Sequence, residues 1–205
     1  RLKPISDVYE PGSIFKLITL AAVLEEDIVS IKTPLHVPKQ YKLHNVTIKE
    51  AHEDPHTYSR TKTVSEIIEE SLNVGTTLLA IKLGKIRLSK YIKEFGFGER
   101  SSLNFPGESK GIVRPVTKWS GVDIAMISFG QGIAVTSIQM VSALATIANE
   151  GKKVTPRLIS YFSDYSLYTH HQKEKKQQKQ IISKETAKDI LTVMQETVER
   201  GTGQI

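Results

Sequence analysis

Ser13-Ile14-Phe15-Lys16 and Ser71-Leu72-Asn73 are the places in this 205-residue chain where residue type and spacing best describe a reaction. The first sets a hydroxyl and an amine one helical turn apart, on one face. A serine hydroxyl is a weak nucleophile until a neighbouring base takes its proton, and a lysine becomes that base when burial or nearby charge lowers its pKa from about 10.4. The second motif offers another hydroxyl to relay protons and a carboxamide to hold a substrate amide. Together they describe serine acyl transfer with lysine in the place of histidine. For Ser13 the competing reading is a plain helix N-cap.

Local context separates these motifs from look-alikes. Ser59-Arg60-Thr61-Lys62 has the same spacing as the first but lies in a polar stretch before a helix start, so Lys62 has no helical register to share. Ser102-Leu103-Asn104 repeats the second but runs into the turn composition Phe105-Pro106-Gly107. Ser13 instead follows the turn signal Pro11-Gly12 and opens an apolar run through Leu24, which predicts a buried helix over 13–25. Ser71 falls between two helical runs, on a tight connection.

The remaining elements follow from the same signals. Residues 31–52 alternate irregularly, with a short hairpin expected around Tyr41–Lys49. Thr63-Val64-Ser65-Glu66 is a capping box that opens a helix ending near Ser71. Helices are expected over about 74–83, 87–95, 120–127 and 137–149, and a last amphipathic one runs from Ile181 or Ser183 to Arg200.

Two other constellations do not hold. His52-Glu53-Asp54-Pro55-His56 matches H-E-x-x-H, but Pro55 removes a backbone donor and disfavours helix at Asp54, so the two histidines do not share a helical face. Gly130-Gln131-Gly132 lacks the third glycine of a dinucleotide fingerprint and a good preceding strand, and reads as a close approach between chain segments. No metal or cofactor is expected. The absence of cysteine excludes disulfides and thiolate metal ligands. With 39% hydrophobic residues the chain has the material for an ordinary core, and no apolar run approaches the ~20 residues that span a bilayer. Much of the +6 net charge sits in Lys173–Lys179, inside a segment, 163–181, that reads as a solvent-exposed loop. Basic residues interleaved with aromatics are not visible, so no nucleic-acid role is expected.

Tyr9-Glu10-Pro11-Gly12-Ser13-Ile14-Phe15-Lys16 resembles the nucleophile motif of class B penicillin-binding proteins, the peptidoglycan D,D-transpeptidases of cell division, elongation and sporulation. Glu70-Ser71-Leu72-Asn73-Val74-Gly75 is similar to their second motif, and Phe95–Gly98 with Phe105–Glu108 to a linker segment. Ile127–Thr136, then Gln139 and Ala145–Asn149, resemble the family's most recognisable stretch outside the catalytic motifs. S-x-x-K, S-x-N and K-T-G form the established signature of these enzymes.

The third motif is missing. Arg200-Gly201-Thr202-Gly203 stands where the family has a helix end, before the strand that carries Lys-Thr-Gly or Lys-Ser-Gly. The resemblance therefore implies that residues 1–205 are part of a transpeptidase domain truncated at both ends. The fold expected is a helix-rich fragment, mostly α with short β hairpins, of the α/β penicillin-binding protein/serine β-lactamase-like fold. Most core sheet strands would lie outside the chain, leaving helix faces without their partner and an exposed apolar patch.

In roles, the resemblance implies Ser13 as nucleophile, Lys16 as base, Ser71 as proton relay and Asn73 as the group that holds the substrate amide and orients Lys16. It implies peptidoglycan stem peptides as substrate, β-lactams as covalent inhibitors, and a membrane glycosyltransferase as partner of the parent protein. That parent would be anchored at the extracytoplasmic face of the bacterial cytoplasmic membrane. With the third motif absent, the chain by itself is expected to be feebly active at best. A penicillin-sensing receptor domain, a serine β-lactamase and a non-catalytic envelope scaffold are the alternatives, and the resemblance of the Ser128–Thr136 stretch favours the transpeptidase over the first two.

Overall fold

The computed structural model describes residues 2–51, 60–103, 105–157 and 178–203. His52–His56, Ser59, Asn104 and most of the 163–181 segment lie outside the described residues. At the near end of that segment Gln178, Lys179 and Gln180 are exposed and Ile181 is buried.

Helices dominate. After the short α1 (Lys3–Ser6) and strand β1 (Val8–Tyr9), a 3₁₀ turn over Gly12–Phe15 leads directly into α2 (Lys16–Glu25). The expectation of one helix from Ser13 is corrected here. Gly12, at φ +58°, sets up a tight turn, and the regular α-helix begins only at Lys16. Ile18, Leu20, Ala21, Ala22 and Val23 of α2 are fully buried, so this helix is central to the core.

Three two-stranded antiparallel ladders make up the sheet content of the described residues. Strand β2 (Pro34–Val37) pairs with β5 (Arg60–Thr63), and between them β3 (Gln40–Leu43) and β4 (Val46–Lys49) form the expected hairpin. Its two-residue turn, His44-Asn45, places His44 at φ +53°, as tight hairpin turns demand. Lys62 sits on β5, in extended backbone rather than in a helix.

Helix α3 (Val64–Glu69) opens on the capping box: Thr63 Oγ1 accepts from Glu66 N, and the Glu66 carboxylate accepts from Thr63 N at 2.7 Å. Helices α4 (Asn73–Leu83) and α5 (Lys85–Glu94) follow, then α6 (Asp123–Ser128), strand β6 (Val135–Thr136) and α7 (Ser137–Ala148). A second capping box, Thr136 with Gln139, starts α7. The Gln139 amide also donates to Glu99 O and Lys110 O, which ties the loop-rich stretch after α5 to this helix start. Helix α8 (Lys184–Arg200) begins at Ser183, whose hydroxyl accepts from Thr186 N, and stops at Gly201.

α2 packs against α4, α5, α6 and α8, and the Phe15 ring meets Phe97 with centroids 5.1 Å apart. At the outer side, α7 and α8 touch each other and carry exposed apolar side chains: Val141 (59%) on α7, and Leu191 (41%) and Val198 (63%) on α8. Among the described residues no helix is long and apolar enough to cross a membrane.

Candidate active site

Ser13 stands on the 3₁₀ turn, where residues three apart eclipse, so Ser13 and Lys16 fall on one side of the chain. Ser13 is exposed, and among the described residues its hydroxyl has no hydrogen-bond partner. It caps no helix: the N-cap positions are Pro11 for the 3₁₀ turn and Phe15 for α2, and neither has a side-chain cap. The ordinary structural reason for a serine here is therefore absent.

Lys16 is the opposite case, with only 1% of the residue exposed. Its Nζ donates to Ser71 Oγ at 2.9 Å and to the Ser71 carbonyl oxygen. Burial pushes the ammonium down to about 8, against the raising effect of the Glu50 carboxylate. A lysine with a pKa of about 8 has a sizeable neutral fraction near neutral pH, which an ordinary surface lysine lacks.

Ser71 is presented by an unusual turn. α3 closes with Ser71 N bonded to Ile68 O (2.9 Å) and Leu72 N to Ile67 O (2.8 Å), the bond pattern of a Schellman motif. The left-handed position of that motif normally holds glycine; here it holds Ser71 at φ +55°. Beside it, Glu70 receives Arg60 Nη2 (2.6 Å) and Lys62 Nζ (2.5 Å), pinning the approach to the turn onto β5.

Asn73 is the first residue of α4 and is half-buried. Its carboxamide donates to Lys49 O at 3.2 Å, and among the described residues nothing hydrogen-bonds Asn73 Oδ1. That oxygen is therefore available to accept an amide N–H. The side chain makes no hydrogen bond to Lys16; it is Ser71 that holds the lysine. The site residues named from the sequence thus divide. Lys16 and Ser71 are in direct contact, Asn73 is two residues on with a free acceptor, and Ser13 is exposed and unbonded on the turn before Lys16.

A second segment clamps the turn that carries Ser13. Gly12 N donates to Gly130 O at 3.1 Å, and a Cβ on Gly130 would lie 2.2 Å from Gly12 O. Only glycine fits, at φ +82°. Gly132 N donates to Glu10 Oε1 (2.8 Å) and Thr19 Oγ1 to Ser128 O (2.8 Å), while β1 pairs with β6. The close approach expected of these glycines is found at Gly130, against the turn that carries Ser13, and not at Gly132, where a Cβ would meet nothing nearer than 3.9 Å. Ser13 N lies in the first turn of its helix, where intrahelical acceptors are lacking, and among the described residues it has no backbone acceptor.

Glu50 was not among the residues singled out from the sequence. Its carboxylate accepts the backbone N–H of Asn73 and that of Val74 (3.1 Å), from 23 residues upstream of Asn73. No spacing rule reaches across that distance, and the one available hint was an acidic residue closing an alternating strand. Arg200-Gly201-Thr202-Gly203 lies at the end of α8, as expected: Thr202 N donates to Glu69 O at 3.0 Å, and a Cβ on Gly201 would lie 2.4 Å from that oxygen. Among the described residues no His, Asp or Glu cluster can hold a metal ion.

The penicillin binding protein transpeptidase domain family matches residues 1–205. Stage V sporulation protein D of Bacillus subtilis is 36% identical over 203 residues, covering 98% of this chain and 31% of that protein. Among solved structures, a peptidoglycan synthetase from Bifidobacterium adolescentis superposes with a TM-score of 0.88 at 29% identity, over 96% of this chain and 36% of the other. Penicillin binding protein 3 from Mycobacterium tuberculosis, complexed with aztreonam, gives 0.85 at 28% identity, over 98% and 44%. The chain spans about a third of the length of the curated relatives it matches; 31% and 30% are the shares for the first two.

Proposed function

Because the chain belongs to the penicillin-binding protein transpeptidase family, we propose that it carries the nucleophile half of a peptidoglycan D,D-transpeptidase site, with Ser13 as nucleophile. The observation that carries this reading is the buried Lys16, its pKa lowered to about 8 and its amine on Ser71 Oγ at 2.9 Å. The aztreonam complex of one structural relative supports β-lactam recognition by this class of domain.

Neutral Lys16 takes the Ser13 hydroxyl proton as Ser13 Oγ bonds to the carbonyl carbon of the penultimate D-alanine of a stem peptide. The C–N bond to the terminal D-alanine breaks, and that amine receives its proton from Lys16 through Ser71. An amine of a second stem peptide then attacks the ester, gives up a proton by the same route, and releases Ser13 with a new amide cross-link formed. Asn73 Oδ1 accepts the substrate backbone N–H. Ser13 N–H supplies one donor of the oxyanion hole. With a β-lactam, the same attack opens the ring and leaves the leaving group tethered to the acyl-enzyme.

Lys-Thr-Gly and Lys-Ser-Gly do not occur in the 205 residues. In this reading the second oxyanion donor and the carboxylate-binding group come from that third motif. Loss of one oxyanion donor typically costs ~10²–10³ in rate, so these residues alone turn over substrate feebly at best. The parent protein works at the extracytoplasmic face of the cytoplasmic membrane, beside a membrane glycosyltransferase that supplies glycan strands.

The full-length protein, given a D-Ala-D-Ala donor and an amine acceptor, is expected to release D-alanine and form the amide product. Release of D-alanine without amide product under saturating acceptor would point to a hydrolase instead, and fast turnover of penicillin to a β-lactamase.

A further inference from the structure

We propose that Glu50 is a positioning residue for the acyl transfer, fixing Asn73 at the start of α4 while holding a negative charge beside Lys16. The inference rests on the function proposed above. Three hydrogen bonds join the end of β4 to the start of α4: Asn73 N and Val74 N to the Glu50 carboxylate, and Asn73 Nδ2 to Lys49 O.

The helix needs such a partner. Leu72, at its N-cap position, has no side-chain oxygen, so the first N–H groups of α4 lack a local acceptor. A serine or aspartate at the cap would serve stability alone. A carboxylate brought from another element does more, because it locks the β3–β4 hairpin to the Ser71-Leu72-Asn73 turn. It also leaves Asn73 Oδ1 open while both the backbone and the amide nitrogen of Asn73 are tied down.

The same carboxylate acts on the base. Among the described residues, Glu50 is the ionised group whose field acts on Lys16, and it favours the ammonium form against burial. Of the charged groups on the four helices packed against α2, Lys82 of α4, Lys90 of α5, Asp123 of α6 and Glu196 of α8 among them, none is a cause of that shift. Glu50 therefore works against the lowering that burial imposes on the lysine, and also fixes where the carboxamide sits.

The test is acylation of the full-length protein by a fluorescent penicillin, followed as a second-order rate constant across the lysine's titration. In the wild type the rate rises with pH as Lys16 loses its proton. Glu50→Gln keeps the shape, removes the charge and offers one acceptor where there were two. Its high-pH plateau is expected to fall roughly tenfold, the size of losing a charge-assisted hydrogen bond, and its inflection to move to lower pH. Glu50→Asp keeps the charge on a shorter arm, so the plateau falls while the inflection stays at the wild-type value; it carries the test if the glutamine variant does not fold. A plateau loss in Glu50→Gln with an unmoved inflection would reduce Glu50 to a structural cap and overturn the inference, as would unchanged kinetics or the same inflection shift in Glu50→Asp. A wild-type protein that is not acylated at Ser13 would overturn the proposed function and this inference with it.

Discussion

Ser71 is where stability and function pull apart most plainly. Its φ of +55° sits in the left-handed region, where a side chain costs about 1 kcal/mol or more and glycine costs little. Its hydroxyl is one of the two groups that receive the Lys16 amine. Ser71→Gly is therefore expected to raise unfolding stability by about 0.5–1 kcal/mol in a denaturant titration while abolishing penicillin acylation. A variant no more stable than wild type would show that the turn carries no strain to relieve. The motif residues themselves were legible because a hydroxyl and an amine at fixed spacing carry chemical meaning in the sequence. What could not be read was which of them touch: Lys16 reaches Ser71, 55 residues away, and Glu50 reaches Asn73, 23 residues on, past β5 and α3. Contacts of that range depend on how elements dock, which local patterns do not encode.

The elements show the same division from the other side. The capping box at Thr63, the hairpin expected around Tyr41–Lys49 and the stop of α8 at Gly201 all lie in local sequence chemistry, and the structure has each of them. The start of α2 differed because Pro11 and Gly12 impose a 3₁₀ turn that apolar periodicity does not register. That turn is held from outside by the Ser128–Gly132 loop, against which the backbone of Gly12 rests. Gly130→Ala puts a methyl 2.2 Å from Gly12 O, with backbone rather than a movable side chain in the way. The expected result is a loss of roughly 1–3 kcal/mol of stability, the scale of overpacking, and a larger relative loss of acylation rate because Ser13 is carried on the displaced turn. A loss of stability with acylation kinetics intact in the remaining folded protein would separate the loop from the positioning of Ser13.

At the scale of the molecule, the core is built on α2, with the Lys16–Ser71 contact at its N-terminal end and the exposed apolar positions of α7 and α8 elsewhere on the surface. Burial of α2 is what lowers the lysine's pKa, so the hydrophobic core and the reactivity of the site have one cause. Val141, Leu191 and Val198 are exposed on α7 and α8. The measurement that bears most directly on the whole account is mass mapping of the adduct formed when the full-length protein meets penicillin. The account predicts a single covalent adduct on the peptide containing Ser13, lost in Ser13→Ala, with a formation rate that rises through a pH of about 8 as Lys16 deprotonates. An adduct on another residue, or one whose rate is indifferent to pH across that range, would contradict the assignment of Ser13 and Lys16 as nucleophile and base.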